Sequence, residues 1–329
     1  MLLLTAEDVR KALPMKEAIE AMKTAYASLS SGTAVVPLRT GIPIPNSEAF
    51  SLFMPAFVNS EGGNALAVKV VSLFPTNPAR GLAYIQAAVL VFDPETGRAI
   101  ALLEGSALTA IRTGAAGGAA IDILARPDSK VVAIFGAGAQ GRTQLEAAST
   151  TRNLETAIIF DSNPEKAQAL ATEMHGKGSI PQEIRVAGSA REAVDHADII
   201  CTATTSLRPV FQDKHLKPGT HISAVGSYRP DMQEVPAETL RRARVFVDSR
   251  SAALEEAGDL IQPLQARLFD ESHIAGELGE VILGRIPGRQ SADAITYFKS
   301  VGIAAQDAMA AQVALTNARK MNLGTEVDF

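Results

Sequence analysis

Apolar and polar positions follow different periods along the chain, and each period predicts a different kind of element. At residues 5–31 the apolar side chains recur at helical spacing, which predicts two helices, and Thr5 is suited to cap the first. From Val35 the pattern changes to short apolar runs separated by turns rich in Pro, Gly and Asn, which predicts strands. These strands are expected at 38–44, 49–53, 65–74, 82–92 and 99–103.

A helix rich in alanine and glycine, predicted at 104–125, precedes a region in which strands and helices alternate. Alternation at this spacing builds parallel sheets with helices on both faces. We therefore predict an α/β protein with a Rossmann-type, doubly wound parallel sheet and ligands at the carboxyl ends of its strands. The strands are expected at 131–135, 157–160, 183–187, 198–203, 221–225 and 244–247, and the helices at 142–151, 164–174, 190–195, 273–285 and 303–321.

The first strand of this region ends in a glycine-rich turn. Gly136 allows the tight turn, Gly138 lets backbone approach a pyrophosphate, and Gly141 permits close packing of helix on strand. A pyrophosphate would then lie at a helix N-terminus, where unpaired N–H groups and the helix dipole favour negative charge. The turn therefore predicts a dinucleotide site, formed by Gly136, Ala137, Gly138, Ala139, Gln140 and Gly141.

Asp161 ends the second strand of this region, 20 residues after Gly141. A carboxylate at this position can accept hydrogen bonds from the ribose hydroxyls of NAD, and it would repel the 2′-phosphate of NADP. Ser162 follows it, and no arginine stands beside it. We therefore expect NAD(H) to be the favoured cofactor, with NADP(H) as the alternative.

Two further strand ends carry polar residues or glycine. One is the segment that begins at Thr202, and the other is the segment around Gly226. Because the carboxyl ends of parallel strands meet at one edge of a sheet, both segments are expected near the dinucleotide. The residues assigned to cofactor contact there are Thr202, Thr204, Val225, Gly226 and Ser227.

Composition and charge exclude several classes of function. The chain has 329 residues, which suits two domains, and its net charge of −5 without a basic run argues against a nucleic-acid surface. No run of about 18 uncharged apolar residues predicts a membrane span. The five histidines show no ligand spacing, so we predict no metal. The single cysteine, Cys201, is expected in the core and fits a cytoplasmic location.

Three cations precede the dinucleotide region among apolar or small neighbours, namely Arg39, Lys69 and Arg112. Either arginine taken alone is more simply explained as part of a solvated face. Lys69 differs, because a lysine inside an apolar strand is costly unless it faces a polar cleft. Together the three suit a small anionic substrate, since arginine can hold a carboxylate by two parallel N–H bonds and a desolvated lysine has a lowered pKa.

Five segments resemble the ornithine cyclodeaminase/mu-crystallin family, and the resemblance extends over nearly the whole chain. They are AVKVVSLFPTN at 67–77, LEGSALTAIRTG at 103–114, GAGAQG at 136–141, AVGSYRPDMQE at 224–234 and FKSVG at 298–302.

The resemblance implies a homodimer built from two domains per chain. Residues 1–120 and 303–329 would form an α+β substrate-binding and dimerisation domain, and residues 121–302 the Rossmann domain. Arg39, Lys69 and Arg112 would hold the substrate carboxylate as the catalytic set, and Arg112 with Thr113 would lie near the cofactor diphosphate. The further substrate contacts implied are Met54 and Tyr228.

The family contains several activities, and two positions help to choose among them. Cyclodeaminases carry acids where this chain has Tyr228 and Leu52, so partners for the ammonium groups of a diamino acid are absent. We therefore expect NADH-dependent reduction of a cyclic imino acid, pyrroline-2-carboxylate or piperideine-2-carboxylate, to L-proline or L-pipecolate. The alternatives are alanine dehydrogenase, ornithine cyclodeaminase and a non-catalytic, nucleotide-dependent binding protein.

Overall fold

The computed structural model describes residues 1–328, and the chain divides into two compact units. One unit comprises Met1–Arg112 together with the chain from Ile303 onwards, and the other comprises Thr113–Gly302. The first boundary therefore falls inside a long helix, between Arg112 and Thr113. The second falls just before the last helix, which belongs to the same unit as the N-terminal part of the chain.

The helices and strands follow one another along the chain in this order: β1 (Leu2–Leu4), α1 (Ala6–Ala12), α2 (Met15–Ser31), β2 (Ala34–Val35), β3 (Thr40–Pro43), β4 (Phe50–Val58), β5 (Ala65–Leu73), β6 (Ile85–Phe92), β7 (Ala99–Glu104), α3 (Gly105–Leu124), β8 (Val131–Phe135), α4 (Ala139–Thr151), β9 (Thr156–Phe160), α5 (Pro164–Met174), β10 (Glu183–Val186), α6 (Ala190–Val194), β11 (Ile199–Thr202), β12 (His221–Ala224), α7 (Ala237–Arg242), β13 (Arg244–Val247), α8 (Arg250–Glu256), α9 (Gly258–Gln265), β14 (Ile274–Glu277), α10 (Leu278–Ile282), β15 (Thr296–Lys299), α11 (Ala304–Met321) and β16 (Thr325–Glu326).

The unit that contains the N-terminus is built on a mostly antiparallel sheet. Its strand order is β16-β1-β7-β6-β5-β4-β2, and β3 also pairs with β4. Helix α11 packs on β4, β5 and β6 and also against α1 and α2. Because α11 is rich in alanine, it can lie close to the strands. The side chains of β5 alternate between a buried and a less buried face, and Lys69 lies on the buried face with Ala65 and Ala67.

The other unit is a parallel sheet with strand order β10-β9-β8-β11-β12-β15-β13-β14. Alternate residues of β8 enter two separate cores: Ala133 and Phe135 belong to one, and Val132 and Ile134 to the other. The strand order reverses between β8 and β11, and such a switch point is where dinucleotides bind. The predicted Rossmann-type parallel sheet with a second α+β unit is confirmed.

Several predicted elements were wrong in extent or type. The segment 273–285 is not one helix, because it contains strand β14 followed by the short helix α10. Helices α7, α8 and α9 and strands β1, β2, β15 and β16 were not predicted. Strand β15 contains Thr296 and Lys299, which are residue types usually found at the surface, although all four of its residues are buried. Strand β3 begins only at Thr40, so Arg39 precedes the strand in which it was expected.

Candidate active site

The glycine-rich turn joins β8 to α4. Gly136 has φ +97°, a conformation that only glycine adopts without strain, and a Cβ there would lie 2.5 Å from the carbonyl oxygen of Ala203. A Cβ at Gly141 would lie only 1.9 Å from the carbonyl oxygen of Gly136. Gly136 thus has the conformation of a tight turn and Gly141 lies in close packing, as expected from the sequence, and no larger residue fits at either position.

Gly138 occupies a different environment from the other two glycines of the turn. It is exposed, and a Cβ there would meet nothing within 4 Å. It is also the N-cap of α4 and has no side chain with which to bond the first N–H groups of that helix. An accessible helix N-terminus without a capping side chain suits an anionic group such as a pyrophosphate. Ala139 and Gln140 form the first turn of this helix.

Asp161 follows β9 and holds the glycine turn in place. Its Oδ2 accepts a hydrogen bond of 2.8 Å from the N–H of Ala137, and its Oδ1 accepts one of 2.8 Å from the N–H of Asn163. A cleft of about 440 Å³ lies beside this carboxylate. The polar and glycine residues that line the cleft are Gly136, Gly138, Asp161, Ser162, Lys166, Thr204, Thr205 and Ser206.

Glu234 joins the two other strand ends that were assigned to the cofactor. One carboxylate oxygen accepts hydrogen bonds from the N–H and the hydroxyl of Thr204, at 2.7 and 2.8 Å. The other accepts from the hydroxyl of Thr202 and from the N–H groups of Gly226 and Ser227, at 3.0, 2.7 and 3.1 Å. A single buried side chain therefore fixes the ends of β11 and β12 relative to each other.

Asp259 supports Glu234 from behind. It accepts hydrogen bonds from the N–H of Glu234 at 2.7 Å and from the hydroxyl of Tyr297 at 3.2 Å, and its Oδ2 lies 3.4 Å from the ammonium of Lys299. All four side chains are buried. Burial raises the pKa of Glu234 above its ordinary value, while Lys299 acts in the opposite direction. The cluster stabilises the strand ends rather than contacting solvent.

Ser227 and Val225 are buried at the end of β12. The hydroxyl of Ser227 donates to the carbonyl oxygen of Met232 and accepts from the N–H of Asp259. This hydroxyl is thus engaged within the protein. Tyr228, one residue later, is 37% exposed, so the first side chain beyond the strand end that reaches solvent is an aromatic ring with a hydroxyl.

A second group of candidate residues lies in the unit that contains the N-terminus. The ammonium of Lys69, on β5, lies 2.6 Å from Oδ2 of Asp307, on α11. The guanidinium of Arg112, on α3, donates from Nε to Oδ1 of the same aspartate at 3.0 Å and from Nη1 to Gln306 at 2.8 Å. Lys69, Arg112 and Asp307 are 2%, 6% and 1% exposed, so two cations share one buried carboxylate.

The buried setting lowers the pKa of Lys69 to about 8, with burial as the main cause. Asp307 opposes this change, while the positive charges of Arg112 and Arg39 add to it. Lys69 therefore holds its proton at neutral pH and loses it in mildly alkaline solution.

Two of the remaining predicted substrate residues, Met54 and Arg39, lie on the same sheet or next to it. Met54, on β4, is opposite Lys69 in the ladder between β4 and β5 and is 4% exposed. Leu52 lies two residues earlier on the same strand and is half-buried. Arg39 is half-buried and precedes β3. Thr113 is buried, and its carbonyl oxygen accepts a hydrogen bond from Gln144 at 2.9 Å.

Four residues that complete the two groups were not predicted from the sequence. They are Glu234 and Asp259 near the strand ends, and Asp307 and Gln306 beside the cations. Asp307 stands among alanines in α11, which is the same kind of signal that singled out Lys69 in an apolar strand. Glu234 lies at the end of the segment 224–234, where the sequence drew attention to Gly226 and Tyr228 instead. Gln306 and Asp259 gave no sequence signal, because their partners are far away along the chain.

Neither the cysteine nor any cluster of potential metal ligands in the described residues forms a further reactive site. Cys201 is fully buried in β11, as predicted, and burial raises the pKa of its thiol to about 12. Within residues 1–328, no group of three or more His, Cys, Asp or Glu side chains is placed to hold a metal ion. No helix in the same part of the chain has the length and apolar character needed to cross a membrane.

Comparisons with known proteins identify relatives along the full chain. A model of the ornithine cyclodeaminase/mu-crystallin family matches residues 1–322. Over 330 residues the chain is 40% identical to a Delta(1)-pyrroline-2-carboxylate reductase of Bacillus cereus, with 100% of each chain covered.

Two solved structures show the same fold. The Delta(1)-pyrroline-2-carboxylate reductase of Thermococcus litoralis in complex with NADH and L-proline is 45% identical, with a TM-score of 0.93 over 99% of this chain and 100% of that one. An archaeal alanine dehydrogenase dimer with bound NAD is 30% identical, with a TM-score of 0.91 over 100% of this chain and 99% of that one.

Proposed function

The chain belongs to the ornithine cyclodeaminase/mu-crystallin family, and we propose that it catalyses the NADH-dependent reduction of a cyclic imino acid to an L-amino acid. The substrate is pyrroline-2-carboxylate or its six-membered homologue piperideine-2-carboxylate, and the product is L-proline or L-pipecolate. The observation that carries the proposal is 45% identity, over nearly the full chain, to a reductase whose structure holds NADH and L-proline.

NAD(H) fits the Rossmann unit of this chain. The exposed Gly138 and the uncapped N-terminus of α4 suit the pyrophosphate, and Asp161 beside the cleft suits a ribose with free hydroxyls. When bound, NADH supplies the hydride for the imine carbon. The proposed cofactor contacts are Arg112, Thr113, Gly136, Gly138, Ala139, Gln140, Gly141, Asp161, Ser162, Thr202, Thr204, Val225, Gly226 and Ser227.

The substrate carboxylate is proposed to bind Arg39, Lys69 and Arg112. Asp307 and Gln306 engage Nε and Nη1 of Arg112 and so fix the plane of the guanidinium, while neither contact uses Nη2. Arg112 can therefore hold a carboxylate by two parallel N–H bonds only through Nη2 and the remaining hydrogen of Nη1. Fixing the carboxylate positions the imine carbon, and positioning is a large part of catalysis for such reactions.

Lys69 is the candidate proton donor. Reduction of the C=N bond adds a hydride to carbon and a proton to nitrogen, and the ammonium of Lys69 can supply that proton directly or through water. Its pKa of about 8 is close to neutral, which favours both the charged form that holds a carboxylate and the loss of a proton during turnover. Met54 and Tyr228 are the further proposed substrate contacts.

The replaced acids weigh against deamination of a diamino acid. Leu52 and Tyr228 stand where cyclodeaminases of the family carry acids, and neither provides a counterion for a second ammonium group. Alanine dehydrogenase is the second candidate, because the archaeal dimer with bound NAD shares the fold at 30% identity. A homodimer and a cytoplasmic location are part of the proposal.

The deciding experiment follows the loss of NADH absorbance with pyrroline-2-carboxylate and, separately, with pyruvate plus ammonia. Rapid oxidation with the imine alone is the expected result, and piperideine-2-carboxylate then reports the preferred ring size. Oxidation only with pyruvate and ammonia would identify an alanine dehydrogenase. Ammonia release from ornithine without net use of NADH would identify a cyclodeaminase, and NADH binding without any turnover would leave the binding-protein alternative.

A further inference from the structure

Asp307 is a buried carboxylate with two cationic neighbours. Its two oxygens are used separately, with Oδ2 at 2.6 Å from the ammonium of Lys69 and Oδ1 at 3.0 Å from Nε of Arg112. The three residues come from β5, α3 and α11, three elements of the same unit. Asp307 thus contacts two of the three cations that are proposed to hold the substrate carboxylate.

Among the groups of residues 1–328 that act most strongly on the pKa of Lys69, Asp307 is the one negative charge. Arg112 and Arg39 are both positive, and burial penalises the charged lysine further. Gln306 is neutral, donates to the hydroxyl of Tyr26 on α2 at 2.6 Å, and accepts from Arg112. An isolated lysine with 2% exposure would lose its proton rather than stay charged.

We propose that Asp307 is a positioning residue which keeps Lys69 protonated and fixes the guanidinium of Arg112, so that the two cations are ready for the substrate carboxylate. It does not contact substrate in this proposal, because both of its oxygens are directed to the cations. Asp307 thus serves as a counterion that stabilises two buried positive charges before substrate binds. The kinetic part of the proposal rests on the proposed imine reduction.

The charges around Lys69 predict how its protonation should change with pH when Asp307 is replaced. The pKa of Lys69 in the folded protein, about 8, is lowered from 10.5, and Asp307 is the group that raises it. Asp307→Asn should therefore lower that pKa further, and the variant should lose the charge of Lys69 at a lower pH than the wild type. If Asp307 only supported the fold, its replacement would not shift the pH dependence of kcat/KM.

The kinetic test measures kcat/KM for pyrroline-2-carboxylate from pH 6 to pH 10. We expect wild-type kcat/KM to fall above about pH 8 and the fall in Asp307→Asn to begin at lower pH, by about one unit or more, with KM at pH 7.5 raised roughly tenfold. Glu20→Gln is the matched control, since it removes an exposed carboxylate 2.7 Å from Lys23 on α2. It should behave as the wild type does.

A stability test is independent of turnover. Because the pKa of Lys69 is lower in the folded than in the unfolded chain, the unfolded chain binds more protons between about pH 8 and pH 10.5, and the contribution of Lys69 to stability rises with pH in that window. The fall in Tm caused by Asp307→Asn should be largest near pH 7 and should narrow by pH 9.5, where wild-type Lys69 is also neutral.

An unchanged pH profile together with an equal fall in Tm at both pH values would overturn the proposal. If the wild type reduces no imine, the proposed function fails, and the Tm series still decides the role of Asp307. If Asp307→Asn alone does not fold, the double variant Lys69→Met/Asp307→Asn replaces it, because it removes one of the two buried cations, and the amide oxygen of asparagine can still accept from Nε of Arg112. A double variant no more stable than Asp307→Asn would show that Asp307 does not balance the charge of Lys69, and would overturn the proposal.

Discussion

Lys69 is charged at neutral pH although only 2% of its surface is exposed, because Asp307 lies 2.6 Å away. Burial, and to a lesser extent two positive neighbours, bring its pKa down to about 8. This balance makes one residue serve two needs of the proposed reaction. Below about pH 8 it attracts a carboxylate, and near that pH it gives up a proton without a large free-energy cost.

Replacing Lys69 should therefore affect binding and pH dependence together. In Lys69→Met, KM for pyrroline-2-carboxylate should rise about 30- to 100-fold, equivalent to about 2–3 kcal/mol for the loss of a buried charged contact. The fall of kcat/KM above about pH 8 should disappear, since the titrating group is gone. Steady-state kinetics from pH 6 to pH 10 test both effects. Wild-type turnover and an unaltered profile in the variant would exclude Lys69 from the site.

Asp161 decides between the two nicotinamide cofactors in this proposal. Asp161→Ala should raise KM for NADH about tenfold and lower the preference for NADH over NADPH, because the repulsion of a 2′-phosphate is removed. Asp161→Asn is the matched control, as its amide oxygen can still accept from the N–H of Ala137 and preserve the glycine turn. Kinetics with both cofactors measure the change. Equal use of NADPH and NADH by the wild type would contradict the argument from repulsion.

At the scale of elements, the sequence predicted the regular segments best. Helix α5 and strand β13 were predicted with the bounds that the structure has, because a proline start and a short apolar run mark them clearly. Strand β15 was missed, since it contains Lys299, whose ammonium is buried 3.4 Å from Asp259. Local periodicity carries no information about a partner 40 residues away.

The residues of the candidate site divide in the same way, into those that local spacing identifies and those that it does not. The glycine turn and Asp161 form one continuous motif, so local spacing was enough to find them. Asp307 lies 195 residues from Arg112 along the chain, and Glu234 lies 32 residues from Thr202. Their roles depend on how strands and helices are brought together, and local spacing along the sequence does not show that. Lys69 was found because a buried charge in an apolar strand demands a partner, although the partner itself was unknown.

The turn between β8 and α4 offers a paired test of two glycines. Gly141→Ala should destabilise the protein by about 3 kcal/mol, because the added Cβ would lie 1.9 Å from a backbone oxygen that cannot move aside. Gly138→Ala should leave the free energy of unfolding within about 1 kcal/mol of the wild type, since a Cβ there meets nothing, yet it should weaken NADH binding by crowding the pyrophosphate.

Thermal unfolding and NADH fluorescence titration separate the two effects. Each glycine variant serves as the control for the other, because both add the same methyl group within one glycine-rich turn. Normal NADH affinity in Gly138→Ala would place the pyrophosphate elsewhere.

At the scale of the whole molecule, exposed apolar side chains are unevenly distributed. Of the eleven large hydrophobic side chains that are most exposed in the described chain, six lie between residues 35 and 85, in the unit that contains the N-terminus. They are Val35, Leu38, Ile42, Leu82, Tyr84 and Ile85. Exposed apolar side chains of this kind are found where a protein binds another protein, and their number in one unit supports the proposed homodimer.

Two substitutions in that region should weaken self-association. Val35 and Leu82 are 61% and 54% exposed, so a charge at either position is harmless in a monomer but costly in a dry interface. Light scattering after size exclusion should give twice the mass of one chain for the wild type and a concentration-dependent shift towards one chain for Val35→Asp and Leu82→Asp. Leu268→Asp, at a 45% exposed position in the Rossmann unit, should remain dimeric. A wild-type monomer, or dissociation only in Leu268→Asp, would place no interface in the N-terminal unit.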